Sequence, residues 1–520
     1  MISAVVLSSV LTPVAWTGTV LGGQVRTARG VVFEDKNRNG KRDSGEKGIP
    51  NIRVSDQLYV VKTNANGEWS MPLRSEDVAF FVVKPRDWMT PVDEDMLPQF
   101  SYIHKPAGSP QTRFPGVAPT GPLPASIDFP LHRSREPKKF EALFFGDTQP
   151  RNVTEVDYIR RDIIEPIVGK TNARFGVTLG DVVFDDLNVF KPLNQAVALL
   201  GLPWYNVLGN HDINMDVEHD HHSDETWEAV YGPNYYSFEH GPVHFIALDN
   251  VHWNRPNPSE RGGYTARFGV QQLTWLKNEL AHIPEDRLIV FCMHIPLIGT
   301  EDRAQLYRLI ENRPYTLSVA AHTHYQEHHF LGKEQGWNGK EKHHHVVNVT
   351  TSGSWWSGLP DELGIPHTTM RDGAPNGYSI FSFDGNQYSI QFRAARRPES
   401  YQMEIQVPDQ LMAMQLVNTS CLVNVFGGNE RSKVEIRYGK NGAWLPMTKT
   451  LEPDPSYVQM KKADETTLAP FRKLPGIINS PHLWKAPLPT DAKPGFLMIE
   501  VRTTDMFGQV FMATKGIRIL

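Results

Sequence analysis

Glu141-Ala-Leu-Phe-Phe-Gly-Asp-Thr-Gln149 carries an apolar run of strand length straight into a Gly-Asp turn. Behind it, Val153, Val156, Ile159, Ile163 and Ile167 recur at three- and four-residue steps, the spacing of one helix face. Asn152 followed by Glu155 gives that helix a capping-box start. Strand, polar turn and amphipathic helix in this order make a βα unit. The grammar continues: strands are predicted at Phe175-Gly-Val-Thr-Leu179, Trp204-Tyr-Asn-Val-Leu208, Val243-His-Phe-Ile-Ala-Leu248, Leu288-Ile-Val-Phe-Cys292 and Leu317-Ser-Val-Ala-Ala321, with a helix over 270–281. This is α/β layering with helices outside.

On both sides the helical spacing fades. Val31-Val-Phe33, Ile52-Arg-Val-Ser55, Tyr59-Val-Val-Lys-Thr63 and Glu68-Trp-Ser-Met71 read as short strands, followed by a Pro/Gly-rich stretch over 105–124. Leu422-Val-Asn-Val-Phe426, Lys433 to Tyr438 and Phe496 to Arg502 read as strands, and Gly516 to Leu520 as the close of a sheet. The expected layout is an α/β core over 135–395 between β-sandwich domains over 30–134 and 396–520. Residues 1–29 are expected to form a signal peptide or leader: nothing from Ile2 to Val25 is charged, and Ala4 to Leu11 is an apolar run followed by Pro13 and small residues. It reads as an export signal that lacks a preceding Lys or Arg and a clean A-x-A site, so a periplasmic or secreted location is expected, with no stable transmembrane span.

The 520 residues carry 53 Lys+Arg against 58 Asp+Glu, a net charge of −5, which disfavours a nucleic-acid scaffold. The only cysteines, Cys292 and Cys421, fall in different expected domains and cannot make a disulfide framework.

The chemistry sits just after the core strands, in Gly146-Asp147-Thr148-Gln149, Gly180-Asp181, Gly209-Asn210-His211-Asp212, Met293-His294 and His322-Thr323-His324. Ligands gather beyond the carboxyl ends of strands in α/β sheets, so these segments can converge on one rim. Carboxylate, amide and imidazole without thiolate suit borderline divalent metals such as Mn, Fe or Zn. With Asp181 shared, two sets follow: Asp147, Gln149, Asp181 and His324 for one ion, and Asp181, Asn210, His294 and His322 for the other. A phosphate mono- or diester held there would be attacked by hydroxide activated by the metal pair. His211 would serve as general acid, with Asp212 fixing its tautomer.

These clusters resemble the motif series of the calcineurin-like metallophosphoesterases: Asp-x-His, Gly-Asp, Gly-Asn-His-Asp/Glu, a lone His and Gly-His-x-His. The resemblance covers about Phe140 to Arg393 and implies a two-sheet α/β sandwich. The whole layout resembles a bacterial subgroup with a β-domain before and after the catalytic domain. Two positions depart from the pattern. Gln149 stands where many members have His, and Ala321 replaces the Gly of Gly-His-x-His.

Outside the core, Asp35-Lys-Asn37-Arg-Asn39-Gly40-Lys41-Arg-Asp43-Ser-Gly-Glu46 matches the twelve-residue calcium-loop template, with Lys41 at the position that coordinates through its backbone carbonyl. Its strand-like neighbours make a helix–loop–helix hand unsuitable, and a structural calcium ion is expected. Arg151, Trp355, Trp356 and Arg371 are candidate substrate contacts, and Glu218 to Asp224 could overhang the rim. Alternation along the strand predicts that at least one of His343, His344 and His345 is exposed. The expected substrate is a small-molecule or envelope-polymer phosphate ester. The alternatives are a nucleotidase or protein phosphatase and, from another class, a surface binding or adhesion protein with a decayed core.

Overall fold

A computed structural model describes residues 26–520 apart from Pro258 and Ala469. The leader reading therefore lies outside the described residues up to Val25. Its last positions do not belong to a leader: the first strand, Thr27–Glu34, already pairs through Thr27 and Ala28 with Pro72 and Met71. No helix among the described residues is long and apolar enough to cross a membrane.

The core is a two-sheet α/β sandwich. One sheet has the order Trp204–Asn206, Ala173–Thr178, Lys139–Phe145, Gly377–Asp384, Gln387–Ala394, and its first three strands are parallel. The other has the order Tyr236–His240, Val243–Ala247, Leu288–Cys292, Thr316–Ala320, His343–Val347, Glu327–Leu331, with four parallel strands inside two antiparallel edges. Leu288–Cys292 is apolar throughout because it is buried on both faces. Phe140, Phe175, Phe245 and Phe383 pack between the two sheets. The parallel strands of both sheets end at one rim, where Gly146 and Thr350 form a bridge between them.

Helix Val153–Ile159 starts as expected, with Asn152 accepting from the Glu155 amide, but it runs into a π-helical segment, Arg160–Ile164. Ile163 and Ile164 are both buried in that segment, and Val153, at the start of the helix, is exposed.

The expected exposure among the three histidines is wrong. His343, His344 and His345 are all buried. Their strand lies between Thr316–Ala320 and Glu327–Leu331, and both faces are covered. His343 and His345 hydrogen-bond Ser318 Oγ at 2.8 and 2.7 Å, while His344 meets His328 at 2.9 Å and Tyr388 Oη at 2.8 Å.

The N-terminal domain is two four-stranded sheets closed over Trp69, Phe80 and Phe129. It docks on the core through Trp275, whose indole N–H donates to Ser55 Oγ at 3.0 Å, through the buried Lys84–Glu136 pair and through the half-buried Arg53–Glu239 pair. The C-terminal domain has a four- and a five-stranded sheet around Cys421, Val423, Ile436 and Val501. It also contains a helix, Pro455–Thr466, that strand patterning did not reveal, started by Asp454 and Pro455. His482 of this domain meets Asp372 of the core at 2.9 Å, both buried.

Candidate metal centre

Each cluster leaves its strand by a tight turn that costs backbone freedom. Asp147, Gln149, Asp181, His322 and His324 all adopt left-handed φ, between 38° and 73°. Non-glycine residues pay for that conformation, and such strain gathers at functional sites. Gly180 also has positive φ, and a Cβ there would overlap the His294 ring, so glycine is required for close approach as well as for the turn. Ala321 is outside the left-handed region, so the residue in place of the pattern's Gly carries its Cβ without strain.

These turns bring the distant side chains together. His294 Nε2 lies 3.2 Å from Asp181 Oδ1, 3.1 Å from Asn210 Oδ1 and 3.1 Å from His322 Nδ1. Asp181, His294 and His322 are, among the described residues, the group of carboxylate and imidazole side chains close enough to hold an ion. Asp181 Oδ2 accepts from Gln149 Nε2 at 2.5 Å, and Asp147 Oδ2 accepts from the His322 amide at 2.9 Å. His324 Nε2 stands 3.6 Å from Asp147 Oδ1.

The electrostatics ask for positive charge here. Burial works against ionisation of His294, but Asp181 and Asp147 outweigh it and raise its pKa to about 9. Burial, helped by the neighbouring His322 and His294, lowers His324 to about 3, so its ring is neutral. Its Nδ1–H donates to Gly353 O at 2.6 Å, which leaves the Nε2 lone pair facing Asp147 Oδ1. That oxygen and Gln149 Oε1 are buried without a hydrogen-bond partner. A separation of 3.6 Å is too long for a hydrogen bond but suits two ligands that share an ion about 2.1 Å from each. The donor set therefore fits divalent metal: Asp147, Gln149 and His324 stand near Asp181 with Asn210, His294 and His322.

His211 is set differently from expectation. Its Nδ1 meets Asp185 Oδ1 at 2.6 Å, whereas Asp212 is wholly buried beneath it. Asp212 accepts from the amides of Val182, Val183 and Gly209 at 3.0, 2.9 and 2.9 Å. Asp212 thus ties the Gly-Asp and Gly-Asn-His turns together, and Asp185 orients the imidazole. The second carboxylate of Gly180-Asp-Val-Val-Phe-Asp185 was the sequence signal for this. Burial disfavours the charged form of His211, but Asp181 and Asp185 more than offset it and hold its pKa above the ordinary histidine value. Phe184 stacks on its ring at 4.3 Å.

The outer candidates divide. Trp355, with φ 59°, stacks on His324 at 3.8 Å and belongs to the rim. Trp356 does not: it is buried, with its indole N–H bonded to Thr148 O at 3.1 Å. Arg151 reaches Trp355 O at 3.1 Å. Arg371 instead turns to the C-terminal domain, donating to Gly476 O at 3.0 Å. The 218–224 segment is tied down by Asp220, which accepts from the Trp253 amide and meets His252 at 2.9 Å. Tyr264, on the hairpin paired with Trp253, lies 6.1 Å from His322 and was not anticipated.

The calcium-type loop is a closed turn on the N-terminal domain. Asp35 accepts from the amides of Asn39 and Gly40, Asp43 accepts from the side chains of Asn37 and Asn39, and Glu46 accepts from the amides of Lys36 and Asp43. Lys41 donates its own amide to Asn39 Oδ1 at 2.8 Å.

Residues 141–326 match the calcineurin-like phosphoesterase family, residues 36–116 its N-terminal domain and residues 344–511 its C-terminal domain. A curated relative, "Probable glycerophosphodiester phosphodiesterase GpdQ" of Arcobacter nitrofigilis, is 27% identical over 126 residues, which is 24% of this chain and 42% of that protein. A purple acid phosphatase from yellow lupin (Lupinus luteus) seeds aligns with a TM-score of 0.35 and 10% identity, covering 67% of this chain and 69% of that one. The chain belongs to the calcineurin-like phosphoesterases, with the family's N-terminal, catalytic and C-terminal domains in one polypeptide.

Proposed function

We propose that the chain hydrolyses phosphate mono- or diesters at a site that takes two divalent metal ions. The observation that carries this is the neutral His324 lone pair aimed at a partnerless Asp147 oxygen, beside a second cluster built on Asp181. When bound, such a metal pair supplies Lewis acidity toward phosphoryl oxygens and an activated water at neutral pH. Asp181 would be the carboxylate that serves both ions.

His211 is the general acid in this reading. Asp185 fixes Nδ1, so Nε2 is the nitrogen free to pass a proton to the departing alkoxide. Its amide donates to Asp181 Oδ1 at 2.9 Å, which sets its position relative to the shared carboxylate. Phe184 on one face of the ring limits its rotation and its access to water.

The partial likeness to a glycerophosphodiester phosphodiesterase supports a small phosphodiester among the substrates. The 35–46 loop is assigned to a structural calcium ion on its ligand spacing. The test is turnover of 4-nitrophenyl phosphate and bis(4-nitrophenyl) phosphate after chelation and reloading with manganese, iron or zinc. Metal-dependent cleavage that disappears in Asp181→Ala is expected. Failure to cleave either ester with any of these metals would contradict the proposal.

A further inference from the structure

Two arginines from different domains converge on one carbonyl oxygen at the rim. Arg151 Nη1 donates to Trp355 O at 3.1 Å, and Arg472 Nη1 donates to the same atom at 3.3 Å. Arg151 lies over the Phe184 ring, with Cζ 4.0 Å from its centroid, and Arg472 approaches the same ring at 5.9 Å. Phe184 stacks on His211, and Trp355 stacks on His324. The guanidinium groups therefore stand directly behind the aromatic walls that flank the metal ligands.

One carboxylate pairs with the two guanidinium groups, and Arg472 is exposed. Glu155 comes within 3.4 Å of Arg151, and Asp185, which also acts on Arg151, is bonded to His211. Arg472 makes a hydrogen bond to a neutral carbonyl and no ion pair among the described residues. Arg151 Nη2 is buried and has no hydrogen-bond partner. Two like charges that share one acceptor are held close against their repulsion, which a bound anion would relieve. The arrangement is also pre-set. The Gly358 amide bonds Arg472 O at 2.7 Å, and the Leu474 amide bonds Asp464 Oδ2 at 2.9 Å, so the backbone at and just after Arg472 is held.

We infer that Arg472, supplied by the C-terminal domain, joins Arg151 in a second anion subsite for a carboxylate or phosphate carried on the alcohol part of the substrate. Planar guanidinium forks match both groups bidentately. The inference rests on the phosphoesterase reading and adds a substrate class to it: esters whose leaving alcohol is itself anionic. It also gives the C-terminal domain a part in selecting substrate.

The test is calorimetric binding of 4-phosphonobutyrate and butylphosphonate, which differ by one carboxylate, to the full manganese-loaded chain. Wild type is expected to prefer 4-phosphonobutyrate. The ratio of the two Kd values should fall about tenfold in Arg472→Ala and recover in part in Arg472→Lys. A ratio identical in wild type and Arg472→Ala would overturn the subsite and leave the phosphoesterase reading standing. Binding of neither phosphonate to the metal-loaded wild type would overturn both.

Discussion

The rim and the 35–46 loop are both rich in cation ligands, yet they differ in what they do without a cation. In the loop, the oxygens of Asp35, Asp43 and Glu46 are taken up by amides of the loop itself, and most of its side chains are exposed. At the rim the ligand atoms are buried and face one another. Asp147 Oδ1 and Gln149 Oε1 have no partner, and left-handed backbone at five ligand positions adds strain. Buried polar groups left unpaired cost free energy, whereas exposed ones are hydrated. A ligand-rich sequence therefore does not by itself mark a cation-dependent site. The dependence comes from burial combined with a missing partner.

The sharpest way to break this comparison is Asp181→Ala. It removes the carboxylate proposed to serve both ions, and activity on bis(4-nitrophenyl) phosphate should fall below detection while the circular dichroism spectrum is kept. His211→Ala should lower kcat by about 10²–10⁴-fold with the metal content unchanged, since its role is proton transfer. Asp185→Asn should lower kcat by about 10–100-fold, the usual effect of losing an orienting partner. An effect of Asp185→Asn as large as that of Asp181→Ala would mean that Asp185 is a ligand. Gly180→Ala should destabilise the fold by about 2–4 kcal/mol in denaturant titration, because its Cβ would overlap the His294 ring at a left-handed position. The loop should give the smallest change. Glu46→Ala removes two amide partners and should cost about 1–2 kcal/mol.

Much of the rim is legible in the sequence. The ligand types follow strand ends, strand ends share a rim, and Asp147, Asp181, Asn210, His294, His322 and His324 meet there. The support around them was harder to read. Asp212 directly follows His211, and adjacency suggested a pair, but the turn sends its carboxylate down to three amides and leaves Asp185 to hold the ring. Trp355 and Trp356 are neighbours with opposite fates, because left-handed φ at both turns one over His324 and the other into the core. Arg472 lies 148 residues beyond His324 in sequence, in a domain read only as strands, and no local pattern connects it to the rim. The π-helical segment likewise escaped, since its spacing of apolar residues looks like an ordinary helix face.

Metal content is the most direct test of the central claim. Elemental analysis of the purified chain after reloading with manganese should give two ions per polypeptide, and Asp181→Ala should retain at most one. No bound manganese in the wild type, or two ions still bound in Asp181→Ala, would contradict a metal pair built around that carboxylate.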